Sequence, residues 1–311
     1  MSCIWKGFHY WCYSFVMLKG IILAGGQGTR LYPSSMVVSK QLMNVYDKPL
    51  IYYPLSTLML AGIKDILIIT NEEHLNSFHK LLGDGSHFGI SISYKVQDNP
   101  NGLPEAFVIA EDFIGDDNVC MVLGDNIIFG NNLDTILENA QLEKGATVLT
   151  YPVKDPERFG VIEFEGCDGH RDSGRVVSIE EKPEIPKSNR ALIGIYFFDN
   201  KCVEYAKNLK PSKRGETEII DLCKKYLESG NLNVKNLTRA MTWIDAGTFD
   251  SLLLATNFVS NFEKIQSYKI SCPEEVAYKN RWISGEDLLK LSKSYPKSGY
   301  GDYLKSIIED Y

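Results

Sequence analysis

Two kinds of segment alternate along the first half of the chain. Short segments that are wholly apolar, or that alternate apolar and polar residues, predict strands, and segments with apolar residues at helical spacing predict helices. Strands are predicted at residues 20–24, 66–70, 90–96 and 119–123, and helices at residues 51–61, 73–82 and 105–112. This alternation is typical of an α/β fold with a Rossmann-like, doubly wound sheet that is mixed but mostly parallel. Ligands bind such sheets beyond the carboxyl ends of the strands.

The pattern changes after about residue 146, where strands become more frequent than helices. Further strands are predicted at 148–153, 161–164, 176–181 and 192–198, and helices at 200–209, 218–227 and 249–262 and in the tail. Because no repeat or Pro/Gly/Ser-rich linker interrupts the chain, we expect one core with an elaborated second half. The predicted organisation is an extension at 1–17, one domain at 18–265 with halves 18–145 and 146–265, and C-terminal helices at 266–311.

The predicted extension is rich in aromatic residues. Its apolar part, from Phe8 to Leu18, is too short to span a bilayer. No small-residue cleavage site of a signal peptide precedes the first strand. We therefore expect residues 1–17 to be a non-essential extension that is poorly ordered or packs opportunistically.

Composition narrows the classes of ligand. The net charge of −7 argues against broad electrostatic binding of nucleic acid or acidic membranes, although a few local cations suffice for small anions. The seven cysteines form no C-x-x-C pair. Their scatter argues against a disulfide framework or a zinc site and is typical of reduced thiols in the cytosol.

A glycine-rich segment, Leu23-Ala24-Gly25-Gly26-Gln27-Gly28-Thr29-Arg30, follows the first predicted strand. Successive backbone N–H groups in such a loop form an anion-binding concavity, and Arg30 adds a forked cation. Lys40 follows closely enough to reach the same anion. The alternative is an ordinary tight turn. The P-loop and dinucleotide-binding motifs are not matched, since Arg30 replaces the Lys-Ser/Thr end and the third glycine is missing.

Two aspartates, Asp125 and Asp245, each end an apolar strand beside a small residue. Two separated carboxylates suit Mg²⁺, which takes few protein ligands and shares the rest with phosphates and water. For either aspartate alone, capping of the next turn is the commoner role. Lys182 and Arg214 are further candidate phosphate ligands, and for both the alternative is a surface charge.

No Ser/His/Asp arrangement or histidine metal spacing is present, so the sequence does not indicate covalent catalysis. The candidate residues offer positioning and neutralisation of phosphate charge. Phosphoryl and nucleotidyl transfer require these two contributions.

From about Leu18 to Leu304 the chain resembles the glucose-1-phosphate thymidylyltransferases, a group of sugar nucleotidyltransferases. The matching motifs are Leu23-Ala24-Gly25-Gly26-x-Gly28-Thr29-Arg30-Leu31-x-Pro33, Ser39-Lys40-Gln41-Leu42, Lys48-Pro49-Leu50-Ile51-Tyr52-Tyr53-Pro54, Val96-Gln97, Asn101-Gly102-Leu103, Leu123-Gly124-Asp125-Asn126, Phe159-Gly160-Val161, Glu180-Glu181-Lys182-Pro183, Gly194-Ile195-Tyr196, Arg214-Gly215-Glu216, Trp243-x-Asp245-x-Gly247-Thr248 and Ser298-Gly299-Tyr300-Gly301. One G-G-x-G-T-R motif would indicate only the superfamily. So many ordered matches make the resemblance specific.

The resemblance implies transfer of a thymidylyl group from dTTP to α-D-glucose 1-phosphate, giving dTDP-glucose and pyrophosphate as an early step of dTDP-sugar synthesis, such as that of dTDP-rhamnose. Sugar-phosphate oxygen attacks the α-phosphorus in line with no covalent enzyme intermediate, and Mg²⁺ is the cofactor. The implied catalytic residues are Arg30, Lys40, Asp125 and Lys182. The implied nucleotide-binding residues are Leu23, Gly25, Gly26, Gly28, Thr29, Arg30, Gln41, Gln97, Gly102 and Asp125, and the implied sugar-phosphate ligands are Gly160, Glu181, Lys182, Leu192, Tyr196 and Arg214. The implied metal ligands are Asp125 and Asp245.

The resemblance further implies a cytoplasmic homo-oligomer, a tetramer, in which the C-terminal helices form an oligomer contact and a regulatory site. The sequence itself shows only amphipathic helices there. Neither nucleic acid nor a membrane is an expected partner.

Some positions depart from the pattern of this group. Phe159 stands where tyrosine is common, and Asn101-Gly102-Leu103-Pro104-Glu105 replaces Gly-Leu-Ala-Gln. Residues 165–174 are predicted to be a surface insertion. The alternative functions are the same chemistry with UTP or another sugar 1-phosphate, and, from a different class, a non-catalytic nucleotide-sugar sensor.

Overall fold

The computed structural model describes residues 17–99, 101–165, 174–213 and 215–310, and it has an α/β fold around a mixed sheet. Residues 1–16, most of the 165–174 turn and Arg214 lie outside the described residues. The strands are β1 (Leu18–Leu23), β2 (Asn44–Val45), β3 (Lys48–Pro49), β4 (Asp65–Thr70), β5 (Ser91–Val96), β6 (Asn118–Leu123), β7 (Asn126–Gly130), β8 (Ala146–Pro152), β9 (Gly160–Phe164), β10 (Val176–Glu181), β11 (Arg190–Phe198), β12 (Leu232–Asn236) and β13 (Met241–Asp245). The helices are α1 (Tyr52–Leu60), α2 (Glu72–Leu82), α3 (Glu105–Ile109), α4 (Glu111–Ile114), α5 (Leu133–Gln141), α6 (Lys201–Lys207), α7 (Ile219–Glu228), α8 (Phe249–Gln266), α9 (Pro273–Lys279), α10 (Gly285–Lys293) and α11 (Gly299–Asp310).

Strand β1 lies near the middle of the main sheet, whose order is β10-β9-β11-β6-β1-β4-β5. Strands β6, β1, β4 and β5 run parallel, so their carboxyl ends meet along one edge. Strand β11 is antiparallel to β6 and continues the sheet into the second half, where it also pairs with β8 and β9. The predicted mixed sheet is confirmed. The first half of the chain forms its four-stranded parallel part, and β8 and β12 form a further parallel pair in the second half.

Helices cover both faces of the sheet, and β1 accordingly has apolar side chains on both faces. Ile22 packs with α1 and the C-terminal helices, whereas Ile21 packs with α3, α6 and α7. Neither side chain is exposed. Strands buried on both faces read as continuous apolar runs, which explains why the sequence pattern located them.

A second, two-stranded sheet consists of β7 and β13 and packs against α8. The apolar pattern did not predict β7, α5 or β12. The helix predicted at 105–112 is two short helices, α3 and α4, which meet at Ala110. No helix in the described ranges is long and apolar enough to cross a membrane.

Candidate active site

The glycine-rich segment leaves the sheet directly after β1. The backbone N–H of Ala24 donates to Ile69 at 2.7 Å, and the chain then turns away from the sheet. Gly28 takes φ +62°, in the left-handed region that favours glycine. A Cβ atom at Gly28 would lie 3.2 Å from the Ser35 Cβ atom. The turn therefore requires glycine there, and it begins a short 3₁₀ helix, Thr29–Leu31, that carries the exposed Arg30.

Lys40 and Asp125 meet across the edge of the sheet. Asp125 lies between β6 and β7, and its Oδ2 atom accepts a hydrogen bond from Lys40 Nζ. Burial opposes the charge of this carboxylate, but the Lys40 ammonium and its hydrogen bond hold the pKa of Asp125 below its usual range. Asp125 is thus an anion held in place by a cation from the loop after the glycine segment.

Asp245 faces Asp125, and the negative charge of Asp125 acts directly on the Asp245 carboxyl group. The arrangement follows from the β7–β13 ladder, in which Asp245 is the partner of Asn126. Burial and the negative charge of Asp125 raise the pKa of Asp245 to about 6, against the opposing effect of Lys40 and Arg30. The pair therefore binds a proton below about pH 6, and a cation held between the two carboxylates would displace it.

This pair fits a divalent metal ion. Two partly buried carboxylates that repel one another are relieved by a small hard cation. Mg²⁺ accepts one or two protein carboxylates with the remaining ligands from phosphate and water. No cluster of three His, Cys, Asp or Glu residues that could hold a metal occurs in the described residues. A metal here would therefore rest on Asp125, Asp245 and the substrates.

A cavity of about 210 Å³, here named the Gln97 cavity, opens on one side of Asp125. Several predicted nucleotide ligands line it: Leu23, Gly26, Lys40, Gln41, Gln97, Gly102 and Asp125. Gln41 is fixed by the Ser39 hydroxyl, which donates to its Oε1 atom at 2.7 Å. Gly25 borders an adjacent cavity and approaches the Gln97 side chain. The structure thus brings this predicted set together.

Gly102 is clasped to the loop that precedes α7. Its φ is +118°, and a Cβ atom there would lie 2.0 Å from the Thr217 carbonyl oxygen. The Thr217 N–H donates to Asn101 at 2.8 Å beside it. Only glycine, which has no Cβ atom, permits this close approach. The contact between Gly102 and Thr217, here called the clasp, joins two walls of the Gln97 cavity.

A second cavity of about 430 Å³, here named the Glu181 cavity, lies on the other side of the aspartate pair. Its lining includes the predicted residues Arg30, Gly160, Glu181, Lys182, Leu192, Tyr196 and Asp245. Gly160 and Glu181 are ladder partners at the ends of β9 and β10. Burial raises the pKa of the Tyr196 hydroxyl, which is therefore a neutral hydrogen-bonding group.

Lys182 takes φ +43°, which is uncommon for a residue with a side chain. Its backbone N–H donates to Phe159 at 3.0 Å, and its ammonium lies 3.4 Å from Glu181 Oε1. Phe159 lines the same cavity, so the departure noted in the sequence lies at the site. The predicted ligand Arg214 lies outside the described residues.

The sequence analysis gave no role to Asn126, which connects three parts of the site. Its Nδ2 atom donates to Asp125 Oδ1 at 3.1 Å, and its Oδ1 atom accepts from Gly194 at 3.1 Å and from the Trp243 indole at 2.6 Å. The side chain is 3% exposed. The sequence offers one signal for this role, a polar residue directly before the apolar run Ile127-Ile128-Phe129. A polar side chain that is buried in such a strand requires hydrogen-bond partners.

A glycine-rich loop follows a central parallel strand, and two cavities meet at a carboxylate pair, an arrangement typical of α/β proteins that bind ligands at the carboxyl ends of their strands. A family model described as nucleotidyl transferase matches residues 19–261, and the chain belongs to this family of enzymes. Members of the family generally use a divalent metal ion.

Individual relatives narrow the comparison further. The chain is 56% identical to a glucose-1-phosphate thymidylyltransferase of Neisseria meningitidis over 94% of its own length and 100% of the relative. It is 51% identical to one of Mycobacterium tuberculosis, over 94% of this chain and 99% of that one.

Solved structures agree with the fold. A Bacillus anthracis structure, described as a putative glucose-1-phosphate thymidylyltransferase in complex with sucrose, has a TM-score of 0.70 at 42% identity and covers 78% of this chain and 95% of that one. A UDP-glucose pyrophosphorylase structure with UDP-glucose has a TM-score of 0.68 at 24% identity over 80% of this chain and 99% of that one, and shows the shared fold.

Proposed function

We propose that this chain transfers the thymidylyl group of dTTP to α-D-glucose 1-phosphate and releases dTDP-glucose and pyrophosphate. The observation that carries the proposal is the position of Asp125 and Asp245 between the Gln97 and Glu181 cavities. A reaction between two phosphorylated substrates requires adjoining sites with the charge-neutralising groups at the junction. The names of the relatives supply the identity of the two substrates.

The nucleotide occupies the Gln97 cavity in this proposal. Its base contacts the Gln97 amide and the Gly102 backbone, because an amide can both donate to and accept from a pyrimidine edge. The pentose lies near Gln41. The triphosphate follows the backbone N–H groups of residues 25–29, where Arg30 and Lys40 neutralise the departing pyrophosphate.

The sugar phosphate occupies the Glu181 cavity. Glu181 accepts hydrogen bonds from glucose hydroxyls, while Tyr196, Leu192 and the Gly160 backbone form the walls. The Lys182 ammonium, with Arg214, holds the phosphate. The unusual backbone of Lys182 supports this role, since strained conformations concentrate at functional sites.

The bond changes need no covalent enzyme intermediate. A phosphate oxygen of glucose 1-phosphate forms a bond to the α-phosphorus, and the bond between that phosphorus and the bridging oxygen of pyrophosphate breaks. Arg30 and Lys40 stabilise the charge on the leaving group, while Lys182 orients the attacking phosphate. Asp125 and Asp245 would hold Mg²⁺, which supplies Lewis-acid stabilisation of the α-phosphate.

Pyrophosphate release tests this proposal directly. The full chain is assayed with dTTP and UTP against glucose 1-phosphate and other sugar 1-phosphates, with Mg²⁺ and with EDTA. We expect release with dTTP and glucose 1-phosphate that stops in EDTA. No release from any pair would contradict the proposal, and a preference for UTP would favour the alternative substrate.

We also propose that the protein is a cytoplasmic homo-oligomer, a tetramer by resemblance. Helix α8 presents Phe249, Leu253 and Leu254 to solvent at 48%, 61% and 60% exposure, which supports an interface on this face. Four buried cysteines of the described residues are free thiols, as expected in a reducing compartment: Cys120, Cys202, Cys223 and Cys272. Light scattering after size-exclusion chromatography measures the mass, and a monomer at micromolar concentration would contradict the oligomer.

A further inference from the structure

The carboxylate of Glu105 holds two side-chain amides at the wall of the Gln97 cavity. Gln97 Nε2 donates to Glu105 Oε2 at 2.6 Å, and Asn101 Nδ2 donates to Glu105 Oε1 at 2.8 Å. Gln97 is 6% exposed, so its hydrogen bonds are made largely within the protein. Glu105 begins α3, and the segment between β5 and α3 carries both amides.

An ionised carboxylate fixes which end of an amide it faces. The two ends of a glutamine amide have almost the same shape, but one donates and the other accepts. Because a carboxylate only accepts, Nε2 of Gln97 faces Glu105 and Oε1 is turned away from it. The orientation is thus decided by charge rather than by shape.

The Oε1 atom of Gln97 is turned toward the glycine loop. A Cβ atom on Gly25 would lie 3.1 Å from it. No hydrogen bond from a described residue reaches this oxygen, while the Gln97 side chain lines the cavity. An unused acceptor at the wall of a cavity is available to a donor on a ligand.

Pyrimidine bases differ at the atom that such an acceptor would contact. Thymine and uracil carry a hydrogen on N3, whereas N3 of cytosine is a lone-pair acceptor. If Gln97 Oε1 faces the N3–H of thymine or uracil, the two form a hydrogen bond. If it faces the N3 lone pair of cytosine, the two acceptors repel one another and both remain desolvated without a partner.

We propose that Glu105 is a specificity-determining residue, which orients Gln97 so that the site selects pyrimidine nucleotides with an N3–H group over cytosine nucleotides. The inference rests on the proposed function, because that function places the base in the Gln97 cavity. Glu105 acts through Gln97 and is a positioning residue. A purely structural role at the start of α3 would change stability but not the choice of base.

The selectivity for dTTP over dCTP tests this role. We measure kcat/KM for both nucleotides with glucose 1-phosphate and Mg²⁺ in the wild type, Glu105→Leu and Glu105→Ala. Neither an isobutyl nor a methyl group at this position can accept a hydrogen bond, so in both variants the Gln97 amide can turn over. We expect the selectivity to fall about tenfold or more, mainly through a higher KM for dTTP with little change in kcat.

Glu111→Gln is the matched control. It removes the same charge from α4, where Glu111 pairs with Lys207 on the surface, and we expect unchanged selectivity. Thermal melting establishes that each variant is folded. Folded Glu105→Leu and Glu105→Ala proteins that keep the wild-type selectivity would overturn the inference.

Binding of dTTP and dCTP without glucose 1-phosphate, measured by calorimetry, separates this inference from the proposed function. If the wild type releases no pyrophosphate from any substrate pair, the proposed function fails, and the ratio of the two dissociation constants still tests Glu105. Preference for dTTP in the wild type that falls in both variants supports the inference. Equal binding of the two nucleotides by the wild type would overturn it.

Discussion

The indole N–H of Trp243 donates to Asn126 Oδ1 over 2.6 Å and thereby joins β13 to β7 through side chains as well as backbone. The same amide donates to Asp125 Oδ1. Asn126 therefore fixes the rotation of the Asp125 carboxylate, and it lies in the same β7–β13 ladder that presents Asp245. This relationship leads to the first prediction.

Asn126→Ala should lower both turnover and stability. The substitution frees Asp125 and leaves the N–H groups of Gly194 and Trp243 without their acceptor. We expect kcat to fall about 100-fold through misplacement of the carboxylate and the free energy of unfolding to fall by about 1–3 kcal/mol. Steady-state kinetics and urea denaturation measure the two effects. The control is Asn139→Ala at an exposed position of α5, and equal results for both variants would contradict the role of Asn126.

Replacement of either proposed metal ligand should stop turnover while nucleotide binding partly survives. Asp125→Asn and Asp245→Asn each remove one charge from the pair but keep its volume. We expect kcat to fall by about three orders of magnitude, in the range for loss of a group that stabilises transition-state charge. Pyrophosphate release and dTTP calorimetry are the measurements, with exposed Asp134→Asn as the control. Near-normal turnover in both variants would show that these residues do not hold the metal.

The raised pKa of Asp245 predicts a dependence of stability on pH in metal-free protein. The folded-state pKa is about 6 against an ordinary value of 3.8, so the folded state binds more protons between these values. The corresponding stability is present below pH 3.8 and is lost as the pH rises through 6. Asp245→Asn stays neutral, so at pH 8 in EDTA it should be the more stable protein by at most about 3 kcal/mol.

Denaturation of both proteins at pH 4 and pH 8 measures this effect. We expect the difference between variant and wild type to vanish at the lower pH, because Asp245 is then largely protonated in the folded state and the charge repulsion is gone. A difference that is the same at both pH values would contradict the raised pKa.

Gly102→Ala should weaken nucleotide binding. A Cβ atom would collide with the Thr217 carbonyl at 2.0 Å and would also strain the backbone at φ +118°. The clasp then opens, and we expect the KM for dTTP to rise about 10-fold to 100-fold. Gly62→Ala is the control, because Gly62 also has a positive φ, of +78°, but a Cβ atom added there would have no neighbouring atom within 4 Å. If both variants change KM equally, the clasp has no part in binding.

Lys48→Met should destabilise the fold strongly for a residue outside the proposed site. Lys48 is 2% exposed and contacts Asp47 and Glu263, each at 2.9 Å. Removal of one partner leaves buried charge, which costs about 3–5 kcal/mol when no other cation compensates. Lys269 also pairs with Glu263, so we expect about 2–3 kcal/mol by urea denaturation. Lys290→Met, which breaks the exposed pair with Asp287, should leave the urea midpoint nearly unchanged.

The sequence predicted the elements whose information is local. Strands such as β1, β4 and β6 are buried on both faces, so an apolar run marks each of them. Strand β7 follows a turn and pairs with β13 more than a hundred residues later. No local pattern encodes that pairing, which explains why β7 was missed and why Asn126 received no role.

The proposed site divides in the same way. Glycines and cations in the first loop have a recognisable spacing, so Gly28, Arg30 and Lys40 could be predicted. The contact between Gln97 and Glu105 depends on how the chain returns from β5 into α3, and the clasp of Gly102 depends on Thr217 from the second half. Such contacts follow from the tertiary fold and not from the residues beside them.

The β7–β13 ladder has a consequence for how such a site can change over time. Because the register of one ribbon pairs Asn126 with Asp245 and so spaces the two aspartates, substitutions in the cavity walls outside that ribbon leave the distance between them intact. Base and sugar preferences can then drift separately, each through its own set of side chains, while the reaction centre is inherited unaltered. A change of substrate in this architecture requires no change in the chemistry.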